Sequence, residues 1–329
     1  MPVITRPYDY NVNDLYVDLS SLCSHQLYLK VEGLNFAGSI KLKAAARMIE
    51  AVERSGQLTR ESTLVESSSG NLGIALSVIA ASKGYRFICV TDSRCNGTTR
   101  QAMETLGTQV RVITEPDLDG GFLGARLDHV RRLCAQDSSY IWLNQYVNPN
   151  NWQAHYDNTA PAIAAEFPDL DVLFIGAGTT GTLMGCARYF HDAGRKVRIV
   201  AVDSIGSVTF GGPSSSRMIP GLGTSVRPQL LDMSYVDDVR HVAEADTVRC
   251  CHLLARKGFL FGGSTGTVVS GARQWLAEHA YGRQIITVAI APDLGERYLD
   301  SIYQPNWVQD IYGDEVLASI DALDALAGS

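Results

Sequence analysis

No block of basic residues occurs anywhere in the chain: 28 Lys and Arg stand against 35 Asp and Glu, a net charge of −7. A field of that sign repels a phosphate backbone, so nucleic acid is excluded as the expected partner. No apolar run approaches the roughly 20 residues that span a bilayer, and the first residues show no basic-then-apolar leader. The expectation is a cytoplasmic protein with no membrane partner. Cysteine is present but unpatterned. Seven residues, an odd number without regular spacing, fit reduced thiols rather than a disulfide framework. The adjacent Cys250 and Cys251 fall in a helical stretch and read as packing. No internal repeat is found, and no metal is expected.

What is present is a well-packed globular composition, 46% hydrophobic and 19% charged, over 329 residues, enough for about two domains. Thirty glycines imply many tight turns and close backbone approaches. After an irregular start over 1–25, strand-like and helical patterns alternate. Strands are predicted at 26–31, 63–66, 85–90, 109–113, 171–175, 197–202 and 284–290. Helices are predicted at 42–54, 72–83, 98–106, 121–136 and 160–166. Such alternation predicts an α/β fold with parallel sheets covered by helices. Breaks near 45 and 150 divide it into a large domain (1–44 plus 151–316) and a small mobile one (45–150), with 317–329 as a loosely held tail. A Gly-, Ser- and Pro-rich loop at 206–228 is too long for a mere connector.

Four segments carry chemistry. In Asn35-Phe36-Ala37-Gly38-Ser39-Ile40-Lys41, the lysine opens a helix just outside a strand. The helix dipole and burial both depress an amine pKa there, as a nucleophilic lysine requires. In Glu66-Ser67-Ser68-Ser69-Gly70-Asn71-Leu72-Gly73, hydroxyls, backbone amides and a helix N-terminus converge in a way that suits a carboxylate. An ordinary serine cap reads the same way. Gly176-Ala177-Gly178-Thr179-Thr180-Gly181-Thr182 satisfies the dinucleotide fingerprint, with Asp203 ending the next strand, so a nicotinamide-dependent oxidoreductase is a rival reading. Against it, the motif is not in the first βαβ unit, and three hydroxyls in four residues suit a terminal phosphate better than a pyrophosphate. The fourth segment, Phe261-Gly262-Gly263-Ser264-Thr265-Gly266, again turns from strand to helix.

Together these segments resemble fold-type II pyridoxal-phosphate enzymes, the cysteine synthase and cystathionine β-synthase family, over about residues 26–300. The resemblance implies two parallel-sheet α/β domains with pyridoxal 5'-phosphate in the cleft between them, usually in a homodimer. It makes Lys41 the cofactor lysine and the catalytic base. Ser68, Ser69, Asn71 and Gln145 would hold the substrate carboxylate, Asn71 also meeting the cofactor's phenolic oxygen. Gly178, Thr179, Thr180, Gly181 and Thr182 would cup the phosphate, with Thr180 where the family has Gly. Gly221, in Ile219-Pro220-Gly221-Leu222-Gly223, would lie beside the cofactor, and Ser264 would face the pyridine nitrogen. A neutral hydroxyl there leaves the ring unprotonated, which favours elimination and replacement over transamination. Pro292-Asp293-Leu294-Gly295-Glu296-Arg297-Tyr298-Leu299 matches a further family motif.

Departures narrow the resemblance. Leu42-Lys43 stands where Asp-Arg is usual, and Leu72 replaces a Thr, removing one donor. With Asp119-Gly120-Gly121-Phe122, Asn144-Gln145-Tyr146 and Asn151-Trp152-Gln153, the chain is similar to a group making N-(2-amino-2-carboxyethyl)-L-glutamate for 2,3-diaminopropionate in siderophore and peptide-antibiotic pathways. That likeness implies β-replacement on O-phospho-L-serine through an α-aminoacrylate, with the amine of L-glutamate as nucleophile. Cysteine synthase, with sulfide, is the alternative. Arg126 and Tyr146 would select glutamate, whose distal carboxylate calls for a planar guanidinium. The hydroxyls around Ser204, Ser207, Thr209 and Ser214 are the expected seat of the donor phosphate.

Overall fold

The computed structural model describes residues 3–10, 12–117, 121–279 and 281–327. Asp119 and Gly120 of the motif named above lie outside the described residues, as do the last two residues of the expected tail.

Two sheets organise the chain. The first is fully parallel, in the order β5 (Gln109–Ile113), β4 (Arg86–Asp92), β3 (Thr63–Ser67), β6 (Tyr140–Trp142). All five residues of β3 are buried, because helices cover both of its faces. On one side α2 (Asn71–Lys83) packs with α1 (Lys41–Arg54) in an apolar cluster that includes Met48, Ile49, Leu64, Leu76 and Ile79. On the other, α4 (Leu123–Gln136) sets Val130 and Leu133 against Val65, Ile88 and Val90. Helix α3 (Gly97–Thr105) joins β4 to β5. All four strands come from residues 63–142.

The second sheet runs β1 (Tyr16–Asp18), β2 (Gln26–Val31), β10 (Ile286–Ala291), β7 (Val172–Gly176), β8 (Arg198–Ser204), β9 (Asp238–Val242). Only β1 is antiparallel, pairing with β2. The predicted irregular start thus holds an edge strand, too short for periodicity to reveal. Helices α5 (Pro149–Ala154), α6 (Ala160–Glu166) and α7 (Gly181–Asp192) lie on one face. On the other, α9 (Gly263–Glu278) is buried almost throughout, between the sheet and α8 (Glu244–Arg256). Between α5 and α6 the chain makes one turn of π-helix, His155–Thr159. Gly185 makes room for that turn, since a Cβ there would meet His155 Cβ at 2.7 Å.

The expected tail is a correction. Beyond α10 (Pro305–Tyr312) the chain forms α11 (Asp314–Ala327), whose Val316 and Ile320 are buried with Ile219, Val248 and Ile302. These two side chains, four residues apart, give the helix an apolar stripe that outweighs its small and acidic composition. Between Ser207 and Asp232 there is neither helix nor strand, as the sequence predicts. Among the described residues no helix is long and apolar enough to cross a membrane.

Candidate active site

Five chain segments meet where the two sheets face each other, and backbone contacts tie them in sequence. Residues 292–294 hold the lysine loop: Ile40 N–H donates to the Pro292 carbonyl at 2.7 Å, and Ser39 bridges Asp293. The Asp293 carbonyl accepts from Gly262 N–H at 3.1 Å, fixing the start of α9, where Ser264 sits. Ser264 lies against Gly221, which in turn faces Gly178. Asn35 braces the lysine loop from within, donating to the Glu32 and Ser39 carbonyls at 3.0 and 2.9 Å.

Lys41 is the first residue of α1, half-buried, and its amine has no hydrogen bond or ion pair among the described residues. Burial alone lowers its pKa to about 8, because no partner compensates the lost hydration. This is the amine that sequence position predicts.

The serine-rich turn divides its labour. Ser68 Oγ accepts from the amides of Gly73 (3.0 Å) and Gly70 (3.3 Å), so its hydroxyl satisfies the first turn of α2, whose N-cap residue is Gly70. Ser69 is half-exposed and its hydroxyl makes no protein hydrogen bond. Gln145 braces the turn from beneath, its Nε2 donating to the Ser67 carbonyl at 2.8 Å. Glu66 accepts from the amides of Ser67 and Gln145 at 2.8 and 3.2 Å, yet burial still raises its pKa to about 7. Leu72 is buried. It joins Ala37 and Leu42 in the core, so the residue read as a missing donor instead packs α2 against the lysine loop.

Asn71 is held at both ends. Its Nδ2 donates to Asp293 Oδ2 at 2.9 Å, and Arg297 Nη1 donates to its Oδ1. Arg297 Nη2 also donates to the Ala37 carbonyl, and Tyr298 OH to Asp293 Oδ2 at 2.6 Å. The acid and the cation together fix which end of the amide is nitrogen. One N–H of Asn71 is left over.

The glycine- and threonine-rich turn lies between β7 and α7. Thr179 Oγ1 accepts from Asn151 Nδ2 at 3.0 Å. A Cβ on Gly181 would strike the Asn151 side chain, one on Gly178 would stand 2.8 Å from the Gly221 carbonyl, and one on Gly221 would strike Ser264 Oγ. Two buried atoms of this cradle, Asn151 Oδ1 and Thr180 Oγ1, have no partner among the described residues, nor has Ser39 Oγ beside the lysine. Buried polar atoms are ordinarily satisfied, so orphans beside a cradle closed to side chains fit a polar group such as a phosphate ester. Asp203, the acid of the dinucleotide reading, is fully buried, with Oδ1 accepting from Ser204 N–H at 2.8 Å.

Thr180 has φ +66°, a left-handed conformation costing a non-glycine residue about 1–2 kcal/mol. Thr180→Gly is expected to stabilise the cofactor-free protein by roughly 1 kcal/mol in thermal melts. The same change removes an orphaned donor, so the rise in Tm on adding cofactor is expected to shrink.

Arg126 is buried, its Nε 3.3 Å from Asp92 Oδ2. Burial raises the Tyr146 hydroxyl pKa while the Arg126 charge opposes it. Arg126 is thus not a surface arginine. Two of the four hydroxyls expected to seat the donor phosphate are otherwise engaged: Ser207 and Thr209 are buried and bonded to each other at 3.0 Å, and Thr209 to Thr224 at 3.0 Å. Sequence reasoning flagged the 292–299 segment but not what Asp293 and Arg297 do there, since their contacts reach across more than 200 residues.

A family profile described as pyridoxal-phosphate dependent enzyme matches residues 16–293. An N-(2-amino-2-carboxyethyl)-L-glutamate synthase of Cupriavidus metallidurans is 38% identical over 305 residues, 92% of this chain and 89% of its own. A synthase of the same name from Ralstonia nicotianae is 38% identical over 299 residues, 90% and 88% of the two chains. The crystal structure of O-ureido-L-serine synthase superposes with a TM-score of 0.84 at 30% identity, covering 100% of both chains.

Proposed function

The chain belongs to the pyridoxal-phosphate dependent enzymes, and we propose that within them it replaces the β-substituent of O-phospho-L-serine with the amine of L-glutamate, giving N-(2-amino-2-carboxyethyl)-L-glutamate. The observation that carries the replacement chemistry is the half-buried amine of Lys41 at the start of α1, its pKa lowered by burial to about 8. The relatives' shared name supports the choice of product.

Bound pyridoxal phosphate supplies the electron sink that acidifies Cα of the amino-acid substrate. The chain's residues supply the rest. Lys41 holds the cofactor, then takes the Cα proton and later returns it. Ser69 and the amides at the start of α2 would hold the substrate carboxylate, while Asn71, its amide fixed by Asp293 and Arg297, would keep a spare N–H for the cofactor. Gly178 to Thr182 hold the phosphate, and Ser264 offers a neutral hydroxyl to the ring nitrogen. Closure of the four-stranded unit onto the six-stranded one excludes water between the two half-reactions. We place the protein in a homodimer, as its family resemblance implies.

Glutamate selection falls to Arg126 with Tyr146, supported by the burial of Arg126 next to that tyrosine. Arg126→Ala is expected to release phosphate from O-phosphoserine normally but to add glutamate more than tenfold more slowly, the loss of a buried charge-assisted pair being worth roughly 2–5 kcal/mol. Stopped-flow of the two half-reactions reads this; a defect confined to phosphate release would place Arg126 at the donor instead. For the reaction as a whole, purified enzyme is incubated with O-phosphoserine and single candidate nucleophiles, and the products are weighed by mass spectrometry. Preferred turnover of sulfide, with O-acetylserine as good a donor, would make it a cysteine synthase.

A further inference from the structure

Behind the phosphate cradle lies a buried run of charged and polar side chains that the chemistry above does not use. Lys30, Glu32, His155 and Thr159 are at most 1% exposed, and Lys43 is 7% exposed. Glu32 is flanked by two lysines, with Lys43 Nζ at 2.8 Å from Oε2 and Lys30 Nζ at 3.3 Å from Oε1. The trio therefore carries a net positive charge into the interior. Lys43 also donates to Thr159 Oγ1 at 3.2 Å. Thr159 Oγ1 lies 3.1 Å from His155 Nδ1, and His155 Nε2 lies 3.2 Å from Thr182 Oγ1. The π turn makes this possible by bringing Thr159 and His155 onto one line.

The direction of every hydrogen bond in the run follows from its lysine end. An ammonium only donates, so Thr159 Oγ accepts from Lys43. The buried Thr159 hydroxyl proton then has one acceptor among the described residues, His155 Nδ1. Burial, with Lys43 and Lys41 adding to it, keeps His155 neutral, so its single proton sits on Nε2 and is given to Thr182 Oγ1. With its oxygen accepting from His155, Thr182 keeps its own proton for the cradle.

On the reading that residues 178–182 hold the cofactor phosphate, we infer that Lys43 acts through Thr159 and His155 as a positioning residue, fixing Thr182 as a hydrogen-bond donor to that phosphate. The lysine does not touch the ligand. It sets the polarity of the relay and places a positive charge behind it, where a dianion is stabilised.

The test compares pyridoxal phosphate with pyridoxal, binding to apoprotein being followed by tryptophan fluorescence. Both form the same link to Lys41, so the dissociation constant of pyridoxal divided by that of pyridoxal phosphate isolates the phosphate. Lys43→Met is expected to lower that ratio roughly tenfold, the size expected when a charge-assisted hydrogen bond becomes a neutral one. Lys43→Arg keeps a cationic donor and is expected to restore it. Nitrogen-15 spectra of the histidine rings should show His155 protonated on Nε2 in the parent protein and lose that single tautomer in Lys43→Met. Thr159→Val breaks the relay without removing charge and is expected to lower the ratio too, which keeps the test alive if the lysine variant does not fold. Equal weakening of both ligands would reduce Lys43 to a structural ion pair and overturn the inference. An unchanged ratio in Lys43→Met, with a fall in Thr182→Val, would overturn the relay and leave the cradle standing. An unchanged ratio in Thr182→Val would overturn the cradle itself.

Discussion

Lys41→Ala is expected to lower kcat by at least about 10³-fold with O-phosphoserine and any nucleophile, because one side chain serves as both the cofactor's attachment and the proton carrier. The protein should still fold and still bind cofactor through the cradle. Borohydride reduction of the parent protein should fix cofactor on the peptide containing Lys41, and none on the variant. A label on another lysine, or turnover within tenfold of the parent, would sink the assignment. The depressed pKa adds a dependence on pH. The folded amine titrates at about 8 and the unfolded one near 10.4. Between those values the unfolded chain binds the extra proton, so stability rises with pH across that window and is lost as pH falls through about 8. Lys41→Met, which cannot charge, is therefore expected to be more stable than the cofactor-free parent below pH 8. The gap should narrow as pH climbs toward about 10, and urea unfolding at a series of pH values measures it.

Asp293→Ala is expected to have the largest effect on stability. This carboxylate is 1% exposed, takes hydrogen bonds from Asn71 and Tyr298, and stands beside the Arg297 guanidinium. Removing one member of a buried charged network strands the others, which typically costs about 3–5 kcal/mol. Urea titration should show a midpoint shift of that size with an unchanged slope. A loss below about 1 kcal/mol would mean that water replaces the carboxylate without strain. Burial raises the Asp293 pKa, so its contribution is complete at low pH and declines as pH rises through the folded value. Asp293→Asn, which mimics the protonated acid, should therefore compare best with the parent at high pH. It should nonetheless slow turnover, because an amide at 293 no longer fixes the Asn71 amide by charge.

Much of this site is legible in the sequence because strand-to-helix turns announce it. Lys41, Asn71, Gly181 and Ser264 each stand within the first two residues of a helix that follows extended chain. Local pattern finds such turns, and the residue types within them narrow the chemistry. What escapes is set by distant partners. Leu72 reads as a lost donor until Ala37 and Leu42 are found against it. Ser207 and Thr209 read as phosphate donors until they are seen bonded to each other and to Thr224. Lys43 reads only as a departure from a motif, since Glu32 and Thr159 reach it from 11 and 116 residues away. Val316 and Ile320 were within reach, as their spacing is that of one helix face, but the acidic composition around them hid it.

The order of strands in the larger sheet also governs how the protein is made. Strand β2, residues 26–31, pairs with β10, residues 286–291, and Ile40 takes its bond from Pro292. A ribosome therefore releases Lys41 more than 200 residues before the strand that braces its loop. The four-stranded unit, drawn entirely from residues 63–142, has all its partners early and collapses first. Strand β2 waits as an unpaired edge until nearly the whole chain has emerged. Until then Lys41 is an ordinary solvated amine. A nascent chain stopped before β10 therefore carries residues 178–182 but lacks the strand and the Pro292 carbonyl that brace the Lys41 loop.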